Sequence, residues 1–98
     1  MIVVRDIFQL KFGKVKEALA LWKEGLPSIK KSGHQVDRLL TDLAGNYYTL
    51  VLECTYRSLA DYESAETKTR TDRDWAEWYR KFVPLVEGGR REIFNVVA

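Results

Sequence analysis

The segment of residues 47–56, which reads YYTLVLECTY, constrains the fold more than any other part of the chain. Its even positions are mostly apolar, whereas its odd positions include Thr49, Glu53 and Thr55. Because successive side chains of a strand point to opposite faces, this alternation predicts a half-buried strand of an antiparallel sheet. We expect the even face of this strand to pack against helices.

The residues before this strand predict three further elements. Residues 2–10 are rich in β-branched and aromatic side chains, which favours a first strand that ends before Gly13. From Val15 onward, apolar residues recur with the period of an amphipathic helix, which Gly33 is expected to stop. Residues 35–43 predict a second strand, and residues 44–46 predict the hairpin turn that joins it to the next one.

The residues after this strand predict a helix in two pieces. Ser58, with Asp61 three residues later, has the pattern of a helix N-terminal cap. The apolar period lapses across residues 66–70, and Thr71 or Asp72 offers a second cap just before the aromatic segment DWAEWYRKF. A break in the helix is therefore expected at this place.

The glycine pair at residues 88–89, together with Pro84, is expected to end the second piece, after which residues 90–97 predict a fourth strand. The resulting order, β-α-β-β-α-β, predicts an α+β, ferredoxin-like fold. In it, residues 1–98 form a single domain with a four-stranded antiparallel sheet and helices on one face. The other face carries Val51 among polar groups, and a second copy of the chain is its simplest cover.

Composition argues against several classes of partner. Sixteen basic and fourteen acidic residues give a formal net charge of +2, far from the concentrated positive charge that a nucleic-acid backbone requires. One cysteine, Cys54, and one histidine, His34, are too few for a zinc site, and the lone thiol favours a reducing cytoplasm. The opening MIVVRDIF lacks the long apolar run of a signal peptide or membrane span. We expect no nucleic-acid, membrane or metal partner.

Three stretches of the sequence resemble a known group of proteins. The opening MIVVRDIFQLKFGKVKEALALW is similar to the first strand and helix of dimeric α+β-barrel proteins, with Gly13 and Lys14 at the joint. YRSLADYESA resembles the joint between the third strand and the second helix of that superfamily, and DRDWAEWYRKFVPLV resembles the late-helix segment of its NIPSNAP-type members. The resemblance covers nearly the whole chain and implies that the sheets of two chains pair in a dimeric α+β barrel.

The same superfamily includes enzymes, so the resemblance adds an enzymatic function to the hypotheses for this chain. They include cofactor-free monooxygenases of the antibiotic-biosynthesis type, small isomerases and haem-degrading oxygenases, and their pockets lie between the helices and the sheet of each subunit. The haem-degrading members use a histidine on a helix, whereas His34 falls at the start of a predicted strand, which argues against haem. No cofactor is expected.

Asp6 and His34 are the candidate acid–base groups. If the even residues of the first strand point toward the helices, Asp6 faces the pocket and could act as a general base, whereas the opposite parity sends Arg5 inward. The alternative for Asp6 is a structural ion pair with an arginine of a neighbouring strand. His34 would serve as a proton shuttle if the start of its strand opens onto the pocket, or would lie as an exposed or locally hydrogen-bonded loop residue.

Five aromatic residues are candidates for lining a ligand pocket, and simple core packing is the alternative for each. Bulky rings with polar atoms often leave the gaps that a ligand cavity needs. The candidates are Trp22, Tyr48, Trp75, Trp78 and Tyr79. Of these, Trp75 lies next to the predicted helix break and is best placed to contact a ligand.

The sequence is compatible with three functions. It does not decide whether the chain is an enzyme. The first is a homodimer that binds a small apolar or aromatic molecule between its helices and its sheet. The second is a cofactor-independent monooxygenase or isomerase of small aromatic or lactone substrates, with Asp6 or His34 taking a proton. The third is a structural module whose only task is homo-oligomerisation.

Overall fold

The computed structural model describes residues 1–98 and has the element order expected from the sequence. The strands are β1 (Ile2–Leu10), β2 (Gln35–Thr41), β3 (Thr49–Tyr56) and β4 (Val86–Asn95). The helices are α1 (Val15–Lys31), α2 (Leu59–Arg70) and α3 (Arg73–Phe82), and a 3₁₀ turn at Val83–Leu85 follows α3. Helices and sheet form two layers, so the predicted α+β class is confirmed.

The sheet has the strand order β2-β3-β1-β4, and every neighbouring pair is antiparallel. β1 and β3 are therefore central, each with a partner on both sides. In this register, Asp6 of β1 lies between Leu52 of β3 and Arg91 of β4. The order is that of the ferredoxin-like fold, as predicted.

The connection between β2 and β3 is longer than the sequence suggested. β2 ends at Thr41 rather than at residue 43, and β3 begins at Thr49 rather than at residue 47. Two local features account for the difference. Tyr48 has a left-handed backbone with φ of 63°, which does not continue a strand. Asp42 Oδ1 accepts a hydrogen bond from the Thr49 amide at 2.7 Å and so stabilises the turn.

The glycine pair at residues 88–89 lies inside β4, which corrects the prediction that it ends the helix. A Cβ atom on Gly89 would lie 2.6 Å from the carbonyl oxygen of Ile7, so only glycine fits where β1 passes this close. The helix instead ends at Phe82, and the 3₁₀ turn that contains Pro84 leads directly into the strand. β4 therefore starts earlier than the predicted residue 90.

Two side-chain caps mark the starts of the two helices in the second helical region, and the second cap lies at the predicted break. Ser58 Oγ accepts a hydrogen bond from the Asp61 amide at 3.2 Å, at the start of α2. Asp72 Oδ1 accepts one from the Asp74 amide at 2.9 Å, at the start of α3. Each cap satisfies an amide that the helix itself leaves unpaired. α3 is therefore a separate helix, and its buried face carries Trp78.

The core lies between the helices and the face of the sheet that they cover. Even-numbered residues of β1 and β3 point into it, which confirms the predicted alternation of these strands. The largest fully buried side chains come from both layers, and they are Trp22, Phe82, Leu10, Leu50 and Val4. This packing fixes the positions of the side chains that surround the site described below.

The opposite face of the sheet has no helix over it. Glu53 of β3 lies there with a side chain only 5% exposed, between Arg5 Nε at 2.8 Å and the guanidinium of Arg38. Hydrogen bonds from Arg38 and Arg5 hold the pKa of this carboxyl below its usual value, against the opposing effect of burial. Ile7 and Val51 pair across β1 and β3 on the same face.

Candidate functional site

A cavity of about 390 Å³ lies between the covered face of the sheet, α1 and the α2–α3 pair. Most of its wall is apolar or aromatic and comes from Phe8, Trp22, Ile29, Leu52, Cys54, Tyr56, Trp75, Ala76, Trp78, Tyr79 and Phe82. Its polar side chains are Asp6, His34, Glu66, Thr69, Arg70 and Arg91. A volume of this size, with few polar groups among many apolar ones, is typical of a small-molecule site.

The aromatic part of the wall is held rigidly. Trp75 stacks on Trp78 with ring centroids 4.6 Å apart, and Trp22 meets Trp78 edge-on at 4.7 Å. Trp78 Nε1 donates a hydrogen bond to the carbonyl oxygen of Leu21 at 2.6 Å. Gly25 of α1 leaves the space that this indole fills. Since its neighbours and its hydrogen bond fix its position, Trp78 forms a permanent surface of the cavity.

The structure brings four of the five predicted aromatic candidates to the cavity. These four are Trp22, Trp75, Trp78 and Tyr79. Tyr48 does not line the cavity, because it lies in the turn before β3, where its ring packs against Phe12 at 4.8 Å. Contact of the four rings with a ligand stays a prediction.

Asp6 points to the helix-covered face and lines the cavity, which decides the parity that the sequence left open. Its side chain is 19% exposed, and its carboxylate accepts a hydrogen bond from Arg91 Nε at 2.5 Å. Arg91 stands directly opposite in β4. The structure therefore contains the ion pair with a neighbouring-strand arginine, and that pair forms part of the cavity wall. A role of Asp6 as general base stays a prediction.

His34 is buried, contrary to the alternative of an exposed loop residue. Gly33 has a left-handed backbone with φ of 99°, and this turn directs the imidazole toward α2. There His34 Nε2 lies 2.7 Å from Thr69 Oγ1, while His34 Nδ1 is hydrogen-bonded to the hydroxyl of Tyr56 on β3. The histidine thus links the loop, the sheet and the helix at the polar end of the cavity.

Burial favours the neutral forms of His34, Cys54 and Tyr56. It lowers the pKa of His34 below the ordinary value of 6.5, although the charges of Glu66 and Asp6 act in the opposite direction. It raises the pKa of the Cys54 thiol to about 12, and it also raises the pKa of Tyr56. Near neutral pH the imidazole, the thiol and the phenol are therefore all uncharged.

The sequence interpretation missed the contribution of α2 to the site. Glu66, Thr69 and Arg70 line the cavity, and they lie where the apolar period lapses. A signal was present, because Thr69 follows Tyr62 and Ala65 on one helical face, and both of those residues are buried. A polar residue that continues a buried face indicates a polar group directed into the interior.

Two other kinds of feature are absent from the chain. The chain has no group of three or more His, Cys, Asp or Glu side chains placed to hold a metal ion. It also has no helix that is both long enough and apolar enough to cross a membrane.

Comparisons with known proteins show which families and structures the whole chain resembles. A family model described as NIPSNAP matches residues 5–98. An uncharacterised NIPSNAP domain protein from Burkholderia xenovorans has a TM-score of 0.92 at 18% identity, and the match covers 100% of this chain and 96% of that chain. A NIPSNAP family protein from Agrobacterium tumefaciens has a TM-score of 0.90 at 22% identity, covering 98% and 92%.

A further solved structure has a similar fold, with a lower TM-score and a lower sequence identity. A putative antibiotic biosynthesis monooxygenase from Nitrosomonas europaea has a TM-score of 0.75 at 13% identity, with 100% of both chains covered. At this identity the likeness shows a shared fold and nothing about the reaction. No curated protein matches the chain.

Proposed function

This chain belongs to the NIPSNAP family, and from that premise we propose that it is a homodimer that binds a small apolar or aromatic molecule in the cavity between its helices and its sheet. The observation that carries the proposal is the wall of that cavity, in which Trp22, Trp75 and Trp78 form a rigid aromatic surface. Aromatic rings bind other flat rings by dispersion and by offset or edge-on stacking. A small aromatic molecule therefore suits this wall better than a charged or strongly hydrated one.

The polar end of the cavity supports a ligand with one polar group rather than several. Asp6 and Arg91 already satisfy each other in an ion pair, and His34 is hydrogen-bonded through both ring nitrogens. The lining groups outside these pairs include Glu66, Arg70 and the unpartnered indole N–H of Trp22, and each would have to be paired to avoid the cost of burial. The ligand class that fits is a mainly apolar ring system.

The uncovered face of the sheet supports the homodimer. Its most buried charge, Glu53, is already neutralised by Arg5 and Arg38 of the same chain. A second sheet packed on this face would therefore not leave that carboxylate without a partner, which is the costly outcome when charges are buried. Ile7 and Val51 next to this cluster provide apolar surface for the contact. We also place the protein in the cytoplasm, since Cys54 is a free thiol.

Quenching of intrinsic fluorescence tests the ligand proposal. All three tryptophans of the chain line the cavity, so a non-emitting aromatic quencher such as 1-nitronaphthalene should reduce their emission in a saturable titration. Free tryptophan amide provides the correction for absorption of light by the quencher. A linear response, equal to that of the free amide, would contradict the proposal.

A matched pair of variants locates the binding. Ala76 of α3 lines the cavity, whereas Ala60 of α2 is exposed and does not. Ala76→Leu should fill part of the cavity and weaken binding of the quencher by about tenfold or more, while Ala60→Leu should leave the affinity unchanged. Equal affinity in the two variants would place the binding outside the cavity.

A further inference from the structure

The hydrogen bonds around His34 have a defined direction. The hydroxyl of Thr69 donates to the carbonyl oxygen of Ala65 at 2.9 Å, which uses its only proton. The 2.7 Å contact between His34 Nε2 and Thr69 Oγ1 must then be a hydrogen bond that Nε2–H donates. In a neutral imidazole the other nitrogen, Nδ1, is an acceptor. The Tyr56 hydroxyl therefore donates to Nδ1.

This direction determines what Tyr56 can offer to a ligand. Its phenolic proton is held by His34, and both residues line the cavity, so a ligand that reaches the Tyr56 oxygen finds only acceptor capacity there. Cys54, two residues earlier on the same face of β3, also lies in the lining, but a thiol is a weak donor and competes poorly with a ligand hydroxyl. The low pKa that burial gives His34 keeps this arrangement at neutral pH.

We propose that the site selects aromatic molecules that carry a hydroxyl group, with the ligand O–H donating to Tyr56 Oη and the ligand rings lying against the tryptophan wall. This inference rests on the proposed function, because it assigns the polar contact within the same cavity. An ether of the same shape has no proton to donate and would set its oxygen against the Tyr56 lone pairs. Burial of two unpaired acceptors disfavours that ligand.

The lining contains other hydrogen-bond donors and acceptors, and a test must distinguish their contacts with a ligand from a contact with Tyr56. Asp6 and Glu66 are also acceptors, so either could hold a ligand hydroxyl. Arg70, Arg91 and the unpartnered indole N–H of Trp22 are donors, so they favour an ether or a ketone instead. A preference for hydroxylated ligands is therefore informative only if it depends on Tyr56 and on the direction that His34 imposes.

Equilibrium dialysis with naphthalene, 2-naphthol and 2-methoxynaphthalene tests the inference on the full chain. The wild type should bind 2-naphthol about tenfold more tightly than 2-methoxynaphthalene, as expected for one buried hydrogen bond. Tyr56→Phe should bind all three probes without this preference. Tyr62→Phe is the matched control, because the buried Tyr62 hydroxyl has no hydrogen-bond partner and does not line the cavity, and it should keep the preference.

A second variant tests the direction itself. His34→Leu removes the acceptor of the Tyr56 proton, so Tyr56 becomes free to donate and 2-methoxynaphthalene should gain affinity relative to the wild type. If His34 only shaped the cavity, His34→Leu would not raise the affinity for 2-methoxynaphthalene in this way. No preference in the wild type, or a preference that survives Tyr56→Phe, would overturn the inference while naphthalene binding still supports the proposed function. No binding of any probe would overturn both.

Discussion

Gly25 is a single residue on which the shape of the cavity depends. A Cβ atom at this position would lie 2.5 Å from Trp78 Cε2 and 2.6 Å from its Nε1. The same indole is anchored to the carbonyl of Leu21, so it cannot withdraw without losing that hydrogen bond. Glycine is unfavourable inside a helix, and its presence in α1 is explained by the space that Trp78 requires.

Gly25→Ala should therefore destabilise the protein despite the better helix propensity of alanine. Overpacking typically costs about 1–3 kcal/mol, whereas replacing glycine in a helix gains about 1 kcal/mol, so we expect a net loss of up to about 2 kcal/mol. Urea denaturation measures it, with the exposed Lys23→Ala in the same helix as a control. A raised midpoint for Gly25→Ala would show that Trp78 can move.

Individual candidate residues were predictable from the sequence to different degrees. The alternation of β1 left the parity of Asp6 open, and an arginine partner on a neighbouring strand was foreseen as an alternative. The burial of His34 was not predictable, because it depends on the left-handed turn at Gly33 and on Thr69, which is 35 residues away in the chain. Local patterns give the face on which a residue lies, but not its distant partners.

At the scale of elements, the break between α2 and α3 is the feature that forms the site. The caps Ser58 and Asp72 were visible in the sequence because capping is a local property. The break lets α3 lie with its aromatic face on α1 and the sheet, while the polar end of α2 contributes Glu66 and Thr69. One cavity thus receives an aromatic wall from α3 and polar groups from α2.

The boundaries of β3 and β4 were less predictable than the elements themselves. Tyr48 looks like a strand residue by composition, and only its backbone conformation removes it from β3. The pair at residues 88–89 looks like a helix stop, yet Gly89 is required by the close approach of β1. In both cases a tertiary contact or a turn outweighs the local preference.

In the proposed homodimer, the uncovered face of the sheet forms the contact between the two chains. Val51 lies in a central strand, and its register partners are Ile7 on one side and Leu40 on the other. A lysine at position 51 would place an unpaired charge in the middle of a sheet-on-sheet contact, where burial of a charge is costly. The same lysine would be solvated and harmless on a monomer.

Light scattering coupled to gel filtration should give the wild type twice the chain mass of 11.4 kDa, and Val51→Lys one chain mass. Ala60→Lys, on the exposed part of α2, should remain dimeric. Far-UV circular dichroism checks that each variant is folded. A wild type that elutes at one chain mass would remove the homodimer from the proposed function.

A crystal of the wild type soaked in 1-bromonaphthalene would show whether the aromatic cavity is a ligand site. The anomalous signal of bromine reports its position without reference to any assumed pose. We expect one strong peak inside the cavity, with the naphthalene ring within about 4 Å of Trp75 or Trp78. An empty cavity, or bromine only on the uncovered face of the sheet, would contradict a ligand site in the cavity.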